Sequence, residues 1–253
     1  MTTGFGEGFD ERQPVVLLLD TSASMGRPDE RPRIDELNEA LTAWFDGVRR
    51  HGRLRSRVEV CLITFDSHVR VYAPREQTLV PVESLPADQV FVPVDGMRPP
   101  RLAASGYTRM TVAVDAALAL ARERLHALRA HRVQVLRPFL WVLTDGAPSD
   151  AEGRPLDAEA LRDTARALRQ GERDREWVFQ AVGVHGADLD LLRVLAPKGA
   201  HLLDSLGFGQ ILDLLFYSSD RFGAEQDADA VHAQVAELTA RRARMADLER
   251  GYQ

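Results

Sequence analysis

Four short, nearly continuous apolar runs constrain this chain more than any other feature: 14–20 (PVVLLLD), 58–65 (VEVCLITF), 138–144 (PFLWVLT) and 178–184 (VFQAVGV). Each is too short for a core helix and lacks the alternation of a strand with one wet face. Each therefore reads as a strand buried on both sides. Between them lie stretches of helical period. Ile34, Leu37, Leu41, Trp44, Phe45 and Val48 recur at steps of three and four, and so do Val114, Leu118, Ala121, Leu125 and Leu128. Further helices are predicted at about 156–170, 189–195 and 208–219, with a short strand near 201–203. Buried strands alternating with helices predict an α/β fold: an open, Rossmann-like three-layer sandwich with a mostly parallel central sheet.

The segment 69–73 follows the Asp66-Ser67 turn and reads as an antiparallel partner of 58–65, the one antiparallel edge strand of that sheet. Prolines 74, 81, 86, 93, 99 and 100 limit 74–106 to extended pieces and loops. The organisation expected is a flexible N-terminus at 1–12, one domain at 13–220 and a helical extension at 221–253. In the extension, Val231, Val235, Leu238 and Met245 mark a helix that either folds onto the domain or reaches a partner.

Composition removes several classes of function. The 253 residues carry 32 basic and 38 acidic side chains, a formal net charge of −6, so bulk electrostatics favour neither nucleic acid nor an anionic membrane. The single cysteine, Cys61, rules out an intrachain disulfide and a multi-cysteine zinc site, and fits a reducing cytoplasm. No secretory signal is expected from the first residues, and no apolar run approaches the roughly 20 residues of a membrane helix. The seven histidines form no H-x-x-x-H pair. His185, at the end of a predicted strand, is the one placed to face a site at the sheet's edge.

In a doubly wound sheet the loops after the strands face a common crevice. Three segments are expected there: Asp20-Thr21-Ser22-Ala23-Ser24, Gly106-Tyr107-Thr108 and Thr144-Asp145-Gly146. They share oxygen: carboxylates and hydroxyls, which suit a hard divalent cation such as Mg²⁺. Taken singly, each loop is explained as a helix cap or a turn. Together, each after the right kind of element, they point to one metal site. Tyr107 and Arg109 flank the threonine and either touch a partner or pack on the rim, and Asp150 reads as the cap of the following turn.

This D-x-S-x-S run after an apolar strand, with Thr108 at a helix start and a later T-D-G, resembles the von Willebrand factor A domain and its metal-ion-dependent adhesion site over about residues 13–220. Within that family, 14–25, 138–150 and 183–192 are similar to the TerY-like branch of bacterial tellurite-resistance and stress clusters. The resemblance implies that Ser22, Ser24 and Thr108 hold Mg²⁺ directly, with Mn²⁺ and Ca²⁺ as alternatives, and that Asp20 and Asp145 reach it through water. It further implies a cytoplasmic, non-enzymatic module whose protein partner, kinase-like, phosphatase-like or another stress protein, presents an Asp or Glu to the metal.

The enzyme alternative is a Mg²⁺-dependent phosphohydrolase of haloacid-dehalogenase type with Asp20 as nucleophile. That chemistry wants a second acid two residues on, where this chain has Ser22, and a lysine before the late acids, whereas Lys198 follows them. No G-x-S-x-G elbow and no phosphate-binding G-x-x-x-x-G-K-[ST] loop is present. A third reading is a scaffold with a vestigial site. The intact set of five residues argues against it.

Overall fold

The computed structural model describes residues 11–251 apart from 51, 185, 223 and 226. The sheet is built around β1 (Glu11–Asp20), whose residues from Gln13 to Asp20 are all buried. β2 (Val58–Phe65) runs parallel to it on one side and β7 (Phe139–Thr144) parallel on the other. Beyond β7 come β8 (Val178–Gly183) and β9 (Ala200–Leu202), again parallel. Beyond β2, β3 (Val69–Ala73) and β4 (Thr78–Pro81) pair antiparallel. Two short strands join from the side: β5 (Val92–Pro93) on β2 and β6 (Gln134–Val135) on β1.

The strand order is therefore β4-β3-β2-β1-β7-β8-β9. From β1 the chain first builds outward to one side and then returns to build the other. The switch falls between β1 and β7, where a doubly wound sheet opens its crevice.

Helices cover both faces. Val15, Leu17 and Leu19 of β1 share one core with α1 (Arg33–Gly47), α7 (Phe208–Phe222) and α8 (Ala228–Gly251), through residues such as Leu37, Leu41, Phe216, Val231 and Val235. Val16 and Leu18 face the other core, formed with α3 (Ala87–Val90), α4 (Met110–Ala130), α5 (Arg162–Arg173) and α6 (Leu189–Leu195). A short α2 (Gly52–Arg57) leads into β2. Adjacent residues of one strand thus feed opposite cores, which is why the run has no polar alternation. Arg124 of α4 grips Glu59 of β2 with two bonds of 2.6 and 2.5 Å, fixing the long helix on the sheet.

The parallel sheet between helical layers is as the apolar runs predict, and α6 matches its expected bounds. Three details differ. β3 is antiparallel as expected, but it is not the edge: β4 lies outside it, short and ending at Pro81, features that suit an edge strand. α5 begins at Arg162 rather than near 156, because the Asp157 carboxylate accepts from the Ala160 amide and holds a turn there. β1 begins at Glu11, two residues before the expected domain start, and residues 1–10 lie outside the described part.

The C-terminal helix is folded back. Val231 and Val235 are fully buried, Lys198 pairs with Asp229 at 2.6 Å, and His232 is held between Gln180 of β8 and Glu172 of α5. Its far end shows Met245 and Leu248 to solvent.

Candidate metal centre

The three oxygen-bearing loops meet at the C-terminal ends of β1 and β7. Asp20 ends β1 with no exposure. Its Oδ1 accepts from the Ser22 amide at 2.8 Å, and its Oδ2 accepts from the Thr144 hydroxyl of neighbouring β7 at 2.5 Å. Ser22 and Ser24, two residues apart in the loop, have hydroxyls 3.0 Å from each other. The Ser24 hydroxyl donates to Asp145 Oδ1 at 2.6 Å. The turn from β1 into α1 is seated by Met25, whose side chain is fully buried in the core.

Thr108 is brought in by two sets of bonds. Its amide donates to Ser149 Oγ at 2.9 Å, and its carbonyl accepts from the Ser149 amide at 2.8 Å, tying it to the loop after β7. The preceding Gly106 accepts from the Ala23 amide, tying it to the loop after β1. Gly106 has φ +68°, and a Cβ there would lie 2.4 Å from Ser67 Oγ, so both backbone and space require glycine. Gly146 has another role. A Cβ at that position would sit 3.6 Å from Ser24 Oγ and 3.7 Å from Thr108 Oγ1. These are ordinary contact distances, so Gly146 marks where the two hydroxyls approach one another without itself being required there.

The electrostatics are unbalanced. Burial pushes the Asp20 carboxyl up to about 7, with the Asp145 charge adding to the rise, against hydrogen bonds from Ser22 and Thr144 that pull it down. Two buried carboxylates beside three hydroxyls form an acceptor-rich cluster whose carboxylates, among the described residues, meet one cation, the Arg33 guanidinium on Asp145. Such a donor set fits a hard divalent ion, which takes neutral and anionic oxygens alike. Among the described residues no group of three or more His, Cys, Asp or Glu converges, so the hydroxyls have to carry any such ion.

All five residues named from the sequence are therefore gathered at one place, while His185 lies outside the described residues. Tyr107 is half exposed on the rim, its ring packed where a Cβ of Gly153 would go. Asp150 caps its own turn, accepting from the amides of Glu152 and Arg154 and from the Arg154 guanidinium.

Three contributors escape sequence reasoning. Ser149 positions Thr108. Asp66 accepts from the His68 amide, Arg70 and Ser105, and its carbonyl accepts from the Arg109 amide at the head of α4. Arg33, on the first turn of α1, places Nη1 2.6 Å from Asp145 Oδ2. Nothing in the spacing of these residues marks them. Their partners are 39–112 positions away or lie across a turn.

A cleft of about 600 Å³ lies away from this cluster, where α5, α6 and the start of α8 meet. Its wall carries Arg169, Arg173, Arg175 and Lys198 against Glu172, Glu225, Asp227 and Asp229. Opposite charges there face each other, and none of the oxygen cluster lines it.

No family model and no curated protein matches the chain. Solved structures do resemble it. One is the ArnB paralog VWA2 from Sulfolobus acidocaldarius, at 11% identity and TM-score 0.47 over 81% of this chain and 44% of that one. Another is a von Willebrand factor type A protein from Catenulispora acidiphila, at 17% identity and TM-score 0.49, over 85% and 43%. A third is proximal thread matrix protein 1 from the mussel byssus with a zinc-occupied MIDAS motif, at 12% identity and TM-score 0.42, over 85% and 46%. The first two of these are von Willebrand factor A proteins by name. The chain spans less than half the length of each of these three. No helix among the described residues is long and apolar enough to cross a membrane.

Proposed function

We propose that the chain is a von Willebrand factor A-type module that binds a protein partner through a divalent ion, Mg²⁺ by default. The observation that carries this reading is the convergence of Asp20, Ser22, Ser24, Thr108 and Asp145 from three separate loops at the switch point. Ser22, Ser24 and Thr108 would hold the ion through neutral oxygens, with Asp20 and Asp145 acting through its waters. Bound there, the ion supplies an under-neutralised positive charge that attracts an anionic oxygen. Ser24, half-buried, opens the cluster to solvent on one side, where an Asp or Glu of a partner could enter.

The zinc-occupied motif of the mussel protein supports metal binding on this kind of scaffold. The stretches 14–25, 138–150 and 183–192 that resemble the TerY-like branch support a cytoplasmic role in a bacterial stress or tellurite-resistance-like system, with kinase-like or phosphatase-like proteins as partner classes. The module is read as non-enzymatic. Asp20 is enclosed and already hydrogen-bonded on both oxygens, a poor disposition for a nucleophile.

Calorimetric titration of wild type and Asp20→Ala with Mg²⁺ and Mn²⁺, followed by partner capture with and without chelator, tests this. Binding to wild type only, with capture lost in EDTA, is the expected result. No ion binding by wild type would overturn the reading in favour of a scaffold. Metal-dependent phosphatase turnover abolished in Asp20→Asn would replace it with the phosphohydrolase.

A further inference from the structure

We infer that Arg33 is a resident cation of the oxygen cluster, competing with a divalent ion for Asp145, so that ion binding requires the guanidinium to leave the carboxylate. This deepens the metal-binding reading and rests on it.

The two oxygens of Asp145 are divided between two partners. Oδ1 accepts from Ser24, itself one of the proposed metal ligands, and Oδ2 accepts from Arg33 at 2.6 Å. Arg33 Nη1 also lies 3.5 Å from the Ser24 carbonyl, so the guanidinium spans the carboxylate and the loop that carries the hydroxyls. The Asp145 side chain has no exposure, and that of Arg33 has 22%. Screening by solvent is therefore weak around the carboxylate, and two cations drawing on it would repel each other strongly. A guanidinium stays protonated at any ordinary pH, so the conflict cannot be relieved by losing a proton. It can be relieved by rotation.

Arg33 sits on the first turn of α1 with its side chain partly in solvent, a route by which the head group can move outward while the helix stays in place. Once displaced, the guanidinium lies beside the mouth through which a carboxylate would arrive, and its planar fork matches that group. An acidic partner residue would then be met by both cations. Partner and ion would each favour the other's binding, because both favour the displaced arginine.

The other role open to Arg33 is that of a pin joining α1 to the β7 loop. A pin predicts lost stability with unchanged ion affinity. Competition predicts tighter ion binding once the guanidinium is gone. Mn²⁺ binding, followed by calorimetry and by the paramagnetic resonance of free Mn²⁺, separates them in three proteins: wild type, Arg33→Gln and Arg166→Gln. Arg166 is exposed on α5 and paired with Asp163, so its removal changes net charge equally at another place.

Arg33→Gln is expected to tighten Mn²⁺ by about tenfold or more, and Arg166→Gln to change it by less than about twofold. Arg33→Met, which keeps an aliphatic stem against the loop, serves the same test if the glutamine variant folds poorly. Equal or weaker binding by the Arg33 variants overturns the inference while leaving the metal site standing. Equal tightening by Arg166→Gln overturns it also, as an effect of bulk charge. Absence of binding in both wild type and Arg33 variants removes the metal reading and this inference together.

Discussion

Two buried polar clusters flank the sheet, and they solve the same problem differently. At the ends of β1 and β7, Asp20 and Asp145 sit among hydroxyls that mostly donate to them. Over the first half of β8, Gln180 links His201 at 2.9 Å and His232 at 3.1 Å, and His232 reaches Glu172 at 3.0 Å. The second cluster pairs donors with acceptors of moderate polarity and binds α8 to the sheet. Burial, helped by the nearby His232, lowers His201 to about 4, so it stays neutral. The first keeps two carboxyls close together, and one of them is raised to about 7. A cluster that serves only packing can be satisfied within the chain. One that holds two carboxyls against the single guanidinium of Arg33 is still short of positive charge and invites a cation from outside.

Asp20 carries the largest expected difference between the two clusters. Asp20→Ala is expected to weaken Mg²⁺ and Mn²⁺ by about a hundredfold or more in calorimetry, comparable to removing a partner that orients a metal site, with the circular dichroism of the fold retained. Binding that survives this change would make the first cluster another packing network.

The next effect concerns pH. A carboxyl whose folded pKa of about 7 lies above its ordinary 3.8 binds protons more tightly in the folded state. Its contribution is fully present below about pH 4 and is lost as pH rises through 7, on the order of 4 kcal/mol in all. In EDTA at pH 8, Asp20→Asn should therefore melt at a higher temperature than wild type, and Mg²⁺ should stabilise wild type alone. A lower melting temperature for the variant under those conditions would show that the charge is already balanced.

His201 carries the opposite sign. Its folded pKa of about 4 lies below the ordinary 6.5, so its stabilising contribution is present above pH 6.5 and is lost as pH falls to 4. The loss is on the order of 3 kcal/mol. His201→Gln should flatten this acid limb in urea unfolding followed between pH 7.5 and 4.5. An unchanged limb would place the acid sensitivity elsewhere.

The smallest effect expected is at the junction with α8. Glu172→Gln keeps the shape of the His232 contact but removes its charge, and should cost about 1 kcal/mol. Amide exchange should speed up in the first turns of α8 and not in β1. Faster exchange throughout the sheet would mean that the two clusters are not independent.

The site was more legible than its surroundings. Asp20, Ser22 and Ser24 lie within five residues of one another, and Asp145 follows an apolar run, so strand periodicity places them at the sheet's end without knowledge of any contact. Thr108 needed only the start of a helix. These are local facts, fixed by a few neighbouring residues and by the two-residue and 3.6-residue repeats of strand and helix.

Local pattern alone thus specifies the layered α/β fold, the antiparallel turn-back after β2 and the five oxygen-bearing side chains of the crevice. Long-range packing settles that β4 caps the sheet, that α8 folds onto it through His232, that Ser149 and Asp66 hold the loops, and that Arg33 lies on Asp145. Each of these joins segments distant in the chain, or turns on which short extended piece finds a free edge. Hydrophobic periodicity records which way a side chain faces, but not which polar atom it meets when the faces close.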